Sequence, residues 1–277
     1  MLKKIIKIFL ISIFVFSCSK NNKNKVVEFD KNKSFETFQE GILAMESGDF
    51  FFASKRFDEA ELLFSKMNNA AKSAILSSYC LYSINFYPEA KQRLKRFKIK
   101  YQADKNLPYA YYLSAVISYE QILDEKKDIK PLKDAQKKIN EYLEKFPNTD
   151  YALDLKFKLD LVKNQLAAKE MYVAKYYVEK KKWVPAINRL KIIVKDYDET
   201  AYIEEALHRL VEIYYEIGLE EEAKSTASIL GYNYNSSEWY AKSYKVLNKD
   251  YKKNNKKLKE KIKKEGLIKR TIKRIVK

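Results

Sequence analysis

Between residues 34 and 248 apolar side chains return every three or four positions, as in "FDEAELLF" and "AINRLKIIV". That period places them on one face of a helix, and no Val- or Thr-rich alternating run competes with it. Gly and Pro are scarce, five of each in 277 residues. The body is therefore expected to be all-α. Two other patterns flank it. Ile8 to Phe16 is an apolar run broken only by Ser12, and Asn21 to Lys33 is polar and lacks periodicity. Residues 249–277 are dominated by lysine, with Ile268, Ile272 and Ile275 on one helical face after Gly266. This tail is compatible with a basic amphipathic helix lying on anionic lipid and equally with a disordered segment.

The helical body repeats. "GILAMESGDFFFASKRFDEAE" sets Gly41, Gly48, Phe50, Ala53, Phe57 and Ala60 at the spacing of a tetratricopeptide repeat. In such a unit a small residue lets the first helix press on the second. An aromatic opens the second helix, and an Ala three residues on permits close contact. The same step recurs as Tyr87–Ala90 and Trp183–Ala186, and without its aromatic as Leu132–Ala135 and Glu220–Ala223. The alanines are 37, 45, 51 and 37 residues apart, so the third and fourth units carry insertions. Five degenerate repeats, about ten helices stacked as a short solenoid, are expected from Ser34 to about Leu247. Tyr111, Tyr112, Tyr119, Tyr176 and Tyr177 either pack between helices or line a peptide groove.

The N-terminus adds an address. Lys3, Lys4 and Lys7 precede the apolar run, which is too short for a membrane span of about 20 residues and has the charge order of a secretory signal peptide. Cys18 follows it. A disulfide is a poor explanation, because the only other cysteine is Cys80, mid-helix and readable as a small buried hydrophobe. Val15-Phe16-Ser17-Cys18 resembles the lipobox of bacterial lipoproteins, in which the cysteine is acylated and becomes the first residue. The resemblance implies a signal peptide over 1–17, a lipidated tether over 18–33, and an anchor of three acyl chains on Cys18. Ser19, in place of a retaining aspartate, implies the outer membrane, with the body in the periplasm.

Charge changes this picture little. The chain is formally +18, but residues 1–25 carry +6 and residues 249–277 carry +11, leaving 26–248 at +1. A near-neutral body is no phosphate-binding surface, so no nucleic-acid partner is expected. Only seven of the 55 basic residues are arginine, a bias that makes single lysines uninformative and single arginines informative. Catalytic and metal motifs (HExxH, GxSxG, CxxC, a phosphate loop) are missing, and the lone histidine, His208, reads as a structural or surface residue. A non-enzyme without a cofactor is expected.

The run LAAKE…VAKYY…W…AINR, followed by "EEALHRLVEIYYEIGLEEEAKSTASIL" and "SSEWYAKSY", resembles the BamD family. That family is the lipoprotein subunit of the outer-membrane β-barrel assembly machine, and the resemblance, alphaproteobacterial in flavour, extends from the lipobox to about Leu247. It implies a scaffold whose C-terminal repeats dock the POTRA domains of BamA, with other Bam lipoproteins as further partners. It also implies N-terminal repeats that receive unfolded outer-membrane β-barrel proteins. In the family an arginine on the second helix of the fourth repeat pairs with an acidic residue of BamA. The W-x-x-A-x-x-R pattern places it at Arg189, where the alternative is an ion pair within the chain's own fold. The competing reading is another repeat lipoprotein of the envelope, such as a pilus-secretin or cell-division factor.

Overall fold

The computed structural model describes residues 31–122 and 128–248. The expectations for 1–30 and 249–277, Cys18 and the tail isoleucines among them, lie outside these residues. Among the described residues the structure is all-helical, without a strand. Two compact units divide at Asp104. Unit 1 holds α1 (Lys31–Glu46), α2 (Phe50–Leu63), α3 (Met67–Ser83) and α4 (Tyr87–Lys100). Unit 2 holds α5 (Leu107–Glu120), α6 (Lys130–Lys145), α7 (Asp150–Glu179), α8 (Trp183–Asp196), α9 (Ile203–Glu216), α10 (Glu220–Asn233) and α11 (Glu238–Leu247). Within each unit every helix packs on the next in chain order. The result is five helix–turn–helix pairs, two and then three, closed by a terminal helix. This is the tetratricopeptide-like arrangement expected from the repeat spacing.

The turns inside the pairs repeat at backbone level. Gly48, Asn85, Lys181 and Gly218 all have positive φ, at 85°, 61°, 54° and 82°, and each lies two residues before the second helix of its pair. In each turn the next residue's N–H reaches back five positions, as in Asp49 N–H to the Ala44 carbonyl at 2.9 Å and Leu219 N–H to Tyr214 at 2.8 Å. That bond closes the first helix in a Schellman motif and fixes the antiparallel return. Glycine adopts this backbone freely and asparagine tolerates it. Lys181 does so at a cost of about 1–2 kcal/mol.

The second helices then start where the aromatic-x-x-Ala steps place them, at Phe50, Tyr87, Trp183 and Glu220. Ala53, Ala90, Ala135, Ala186 and Ala223 are fully buried at helix contacts. Gly41 faces the ring of Phe57 so closely that a Cβ there would stand 2.8 Å from it. The insertions have physical identities. The third pair has a long connection between α5 and α6, and the fourth opens on α7, which runs for 30 residues where α6 and α8 run for 16 and 14. Pro147 follows directly on the C-cap of α6 at Phe146 and prevents its continuation.

Successive pairs are joined by polar contacts about one repeat apart in sequence. Asp58 on α2 accepts from Arg93 Nε on α4 at 3.0 Å and from Ser77 at 2.7 Å. Glu61, with its side chain only 2% exposed, takes Arg96, Lys100 Nζ at 2.9 Å and Tyr101 Oη at 2.7 Å. Cys80 is buried and free, and burial pushes its thiol up to about 12. It remains a protonated apolar filler, as its place in the helix pattern suggested.

Candidate partner-binding site

Arg189 lies almost two turns into α8, three residues beyond the buried Ala186 and beside the buried Leu190. This puts it at the edge of the face that packs on α7. Its Nη1 donates to Glu170 Oε2 on α7 at 3.0 Å. The two ends differ in exposure, 41% for the arginine side chain and 11% for the glutamate. A cation held at one nitrogen by a buried carboxylate, and 41% exposed as a side chain, keeps donors that the carboxylate does not use. The intramolecular pair therefore exists, and it leaves room for a second acceptor. Glu170 ends the segment LAAKE and Arg189 ends AINR, so both partners sit inside the most distinctive run of the sequence.

Arginine scarcity has a related explanation. Arg56, Arg93, Arg96, Arg189 and Arg209 each hold a carboxylate of this chain. The planar fork is used where two donors must meet carboxylates at fixed angles. Arg56, Arg93 and Arg209 use it so, whereas Arg189 meets Glu170 through one nitrogen and is distinguished by the partner's burial and its own exposure.

Next to α8 two clefts meet at Val178 and Arg209. One, of about 200 Å³, runs along Met171, Ala174 and Leu190. The other, of about 310 Å³, is walled by Trp183, Ile213 and Val246 and edged by Glu212 and Glu216. Arg209 is fixed at their junction by Glu212 Oε2 at 2.7 Å and Glu205 Oε1 at 3.3 Å.

His208 is structural. It is buried, its Nδ1 faces Ser243 Oγ at 2.8 Å, and its ring lies 5.3 Å from that of Trp239. It thereby ties α11 to α9. Its Nε2 approaches Glu212 Oε1 at 3.3 Å. A hydrogen on Nε2 donates to Glu212, while Nδ1 pairs with Ser243. The hydrogen bond from His208, helped by Arg209 and opposed by burial, holds the Glu212 carboxyl down at about 2 against its usual 4.5. A depressed carboxyl stabilises the fold fully above the unfolded value and loses that contribution as pH falls from 4.5 towards 2. After discounting for its partial exposure, the contribution is about 1 kcal/mol. In urea titrations at pH 5 and pH 2, the gap between the native chain and Glu212→Gln is expected to shrink by that amount. A gap independent of pH would contradict the coupling.

The tyrosines divide. Tyr112 stacks on Tyr151 at 4.4 Å and donates to Asp154 at 3.0 Å, and Tyr111 lies 5.5 Å from Phe146, so both are packing residues. Tyr119 lies under Lys158 Nζ at 5.6 Å. Tyr176 meets Tyr177 edge-on at 5.6 Å and remains half exposed. Sequence reasoning missed Glu170 and Ser243, each a residue whose partner is on another helix. The usable signal was an opposite charge 19 residues away for Glu170 and a polar match 35 residues away, near one repeat's distance, for Ser243.

Comparison with known proteins settles the kinship. Residues 30–230 match the family model YfiO, described as outer membrane lipoprotein. The chain belongs to this outer membrane lipoprotein family. Relatives of the family include the outer membrane protein assembly factor BamD of Caulobacter vibrioides, 32% identical over 86% of this chain and 78% of its own. That of Rickettsia prowazekii is 34% identical over 76% of this chain and 84% of its own. A more distant BamD, from Neisseria meningitidis, is 25% identical over 85% and 93%. The family match includes Glu170 and Arg189 and stops before α11. Solved structures of PilW, a type IV pilus biogenesis factor, and of Pseudomonas aeruginosa pilF align at 14% identity with TM-scores of 0.25 and 0.23, too low to bear on the fold.

Proposed function

We propose that this chain is a scaffold of the outer-membrane β-barrel assembly machine, held by acylated Cys18 on the periplasmic face of the outer membrane. The observation that carries this reading is the match to relatives named outer membrane protein assembly factor BamD over 86% of the chain. The scaffold works by binding, without a cofactor: its C-terminal repeats hold the POTRA domains of BamA, and its N-terminal repeats receive unfolded barrel proteins. Residues 1–17 are the signal peptide, 18–33 the tether, 34–248 the repeat body and 249–277 a basic tail.

Arg189 is the residue proposed to meet a BamA carboxylate. The exposure of its side chain, 41%, supports this role, since Glu170 holds only one of its nitrogens. Truncating one member of a hydrogen-bonded charge pair at an interface costs about 2–5 kcal/mol when the pair is desolvated. Arg189→Ala is therefore expected to weaken binding of purified POTRA domains at least about tenfold, equivalent to 1.4 kcal/mol. Arg189→Lys separates interface from fold. It keeps a cation for Glu170 while removing the fork, so binding should fall and the melting temperature should not. Equal affinities for native chain and Arg189→Lys, measured by calorimetry, would remove Arg189 from the interface.

A further inference from the structure

We propose that the end of unit 1 at which α1 begins is a membrane-facing edge, resting on the anionic headgroup surface of the bilayer. This rests on the anchored reading of Cys18. The helices of unit 1 are joined by three-residue turns and pack in sequence, so they alternate in direction. The starts of α1 and α3 and the ends of α2 and α4 therefore share one end. Two contacts confirm it: Phe35 meets Phe64 with ring centroids 5.1 Å apart, and Lys100 reaches Glu61 at 2.9 Å. At this end each helix leaves a large apolar side chain in water. Phe35, Leu62, Met67 and Ile99 are all more than half exposed, Leu62 most of all at 75%. With one such side chain on each of the four helices, this end offers apolar groups to a covering surface.

Charge and chain length select what covers it. Lys33, Lys66, Lys95 and Lys98 lie within four residues of Phe35, Met67 and Ile99 along the chain, against the acids Glu36 and Asp104 and the already neutralised Glu61. Exposed apolar groups flanked by lysine are the chemistry of an anionic lipid interface, where such groups sink about 5–10 Å. The opposite end also exposes Leu43, Phe51 and Phe86, but its charge differs: Phe51, packed on Phe86 at 6.0 Å and under Lys55 at 4.4 Å, lies beside the acids Glu46, Asp49 and Glu89, which such a surface repels. The thirteen peptide steps from Cys18 to Lys31, where α1 starts, cannot span more than about 45 Å. An acylated Cys18 thus keeps this edge within reach of the bilayer, and the lysines orient it.

The test uses the full chain reconstituted into vesicles of phosphatidylethanolamine and phosphatidylglycerol with brominated acyl chains. An environment-sensitive dye is placed at Met67→Cys or, at the other end, at Phe86→Cys. Cys80 is buried and leaves the label selective. The expected result is loss of roughly half or more of the emission at position 67, the depth of an interfacial side chain, with little loss at 86. Adding Lys66→Glu and Lys95→Glu, or replacing phosphatidylglycerol with phosphatidylcholine, should reduce the loss at 67. No quenching at 67, or equal quenching at both positions, overturns the proposal; a protein partner on this edge would give the first outcome. Mass spectrometry of the same sample reads acylation of Cys18 independently. Failure of the anchor is then seen in the mass, and failure of the edge in the difference between 67 and 86.

Discussion

A chain carrying Arg96→Ala and Lys100→Ala together is expected to lose about 3–5 kcal/mol of folding stability, among the largest effects open to surface-adjacent positions here. Both cations are about half exposed and would look dispensable from sequence. Their acceptor is not. Glu61 has 2% of its side chain in contact with water and takes its hydrogen bonds from Arg96, Lys100 and Tyr101. Removing the two cations leaves a carboxylate buried between α2 and α4 with a single neutral donor. Desolvation of an unpaired charge is what makes such truncations costly, since the pair itself contributes little net stability. Adding Glu61→Leu to the double variant removes the buried charge, and most of the lost stability should return. Urea unfolding followed by circular dichroism measures all three. A loss under about 1 kcal/mol, the range of exposed pairs, or no recovery on adding Glu61→Leu, would contradict this account.

The second large effect concerns the contact between α1 and α2. Phe57 is fully buried, and its ring lies where a side chain on Gly41 would have to go. Phe57→Ala is expected to cost about 3–5 kcal/mol, through lost burial and the cavity left behind. Gly41→Ala forces the added methyl to 2.8 Å from the ring and is expected to cost about 1–3 kcal/mol despite the better helix propensity of alanine. The double variant tests whether the two costs share one cause. With the ring gone, the methyl at 41 enters free space, so the double should be less destabilised than the sum by about 1 kcal/mol or more. Strict additivity would mean that Gly41 is required for some reason other than Phe57.

These cases show why the fold was more legible than its chemistry. The first repeat announces itself locally by a small residue, a turn residue with positive φ, an aromatic two positions later and an alanine three beyond that, and the second and fourth keep the last three. Those features sit within about twelve residues, and sequence displays them in order. The arginines are different. Asp58 with Arg93, and Glu61 with Arg96, lie 35 residues apart, and His208 with Ser243 likewise. That distance marks successive repeats, but which face meets which depends on how one pair rotates on the next. Spacing alone does not encode that rotation. For Arg189 the two readings turned out to be compatible. One nitrogen serves the fold through Glu170, and the donors that Glu170 does not use are what the interface proposal uses. The lengthening of the fourth unit was visible as a 51-residue interval, while its identity as one uninterrupted 30-residue helix needed the structure.

On the proposed function, this chain acts by holding BamA within the barrel assembly machine. The most direct measurement is isolation of the full, affinity-tagged chain from envelope membranes in mild detergent, with identification of what accompanies it. The account predicts BamA as a prominent companion of the native chain and a marked loss of BamA from the Arg189→Lys preparation. A native chain that emerges folded and acylated but without BamA, or with a pilus secretin in its place, would contradict it.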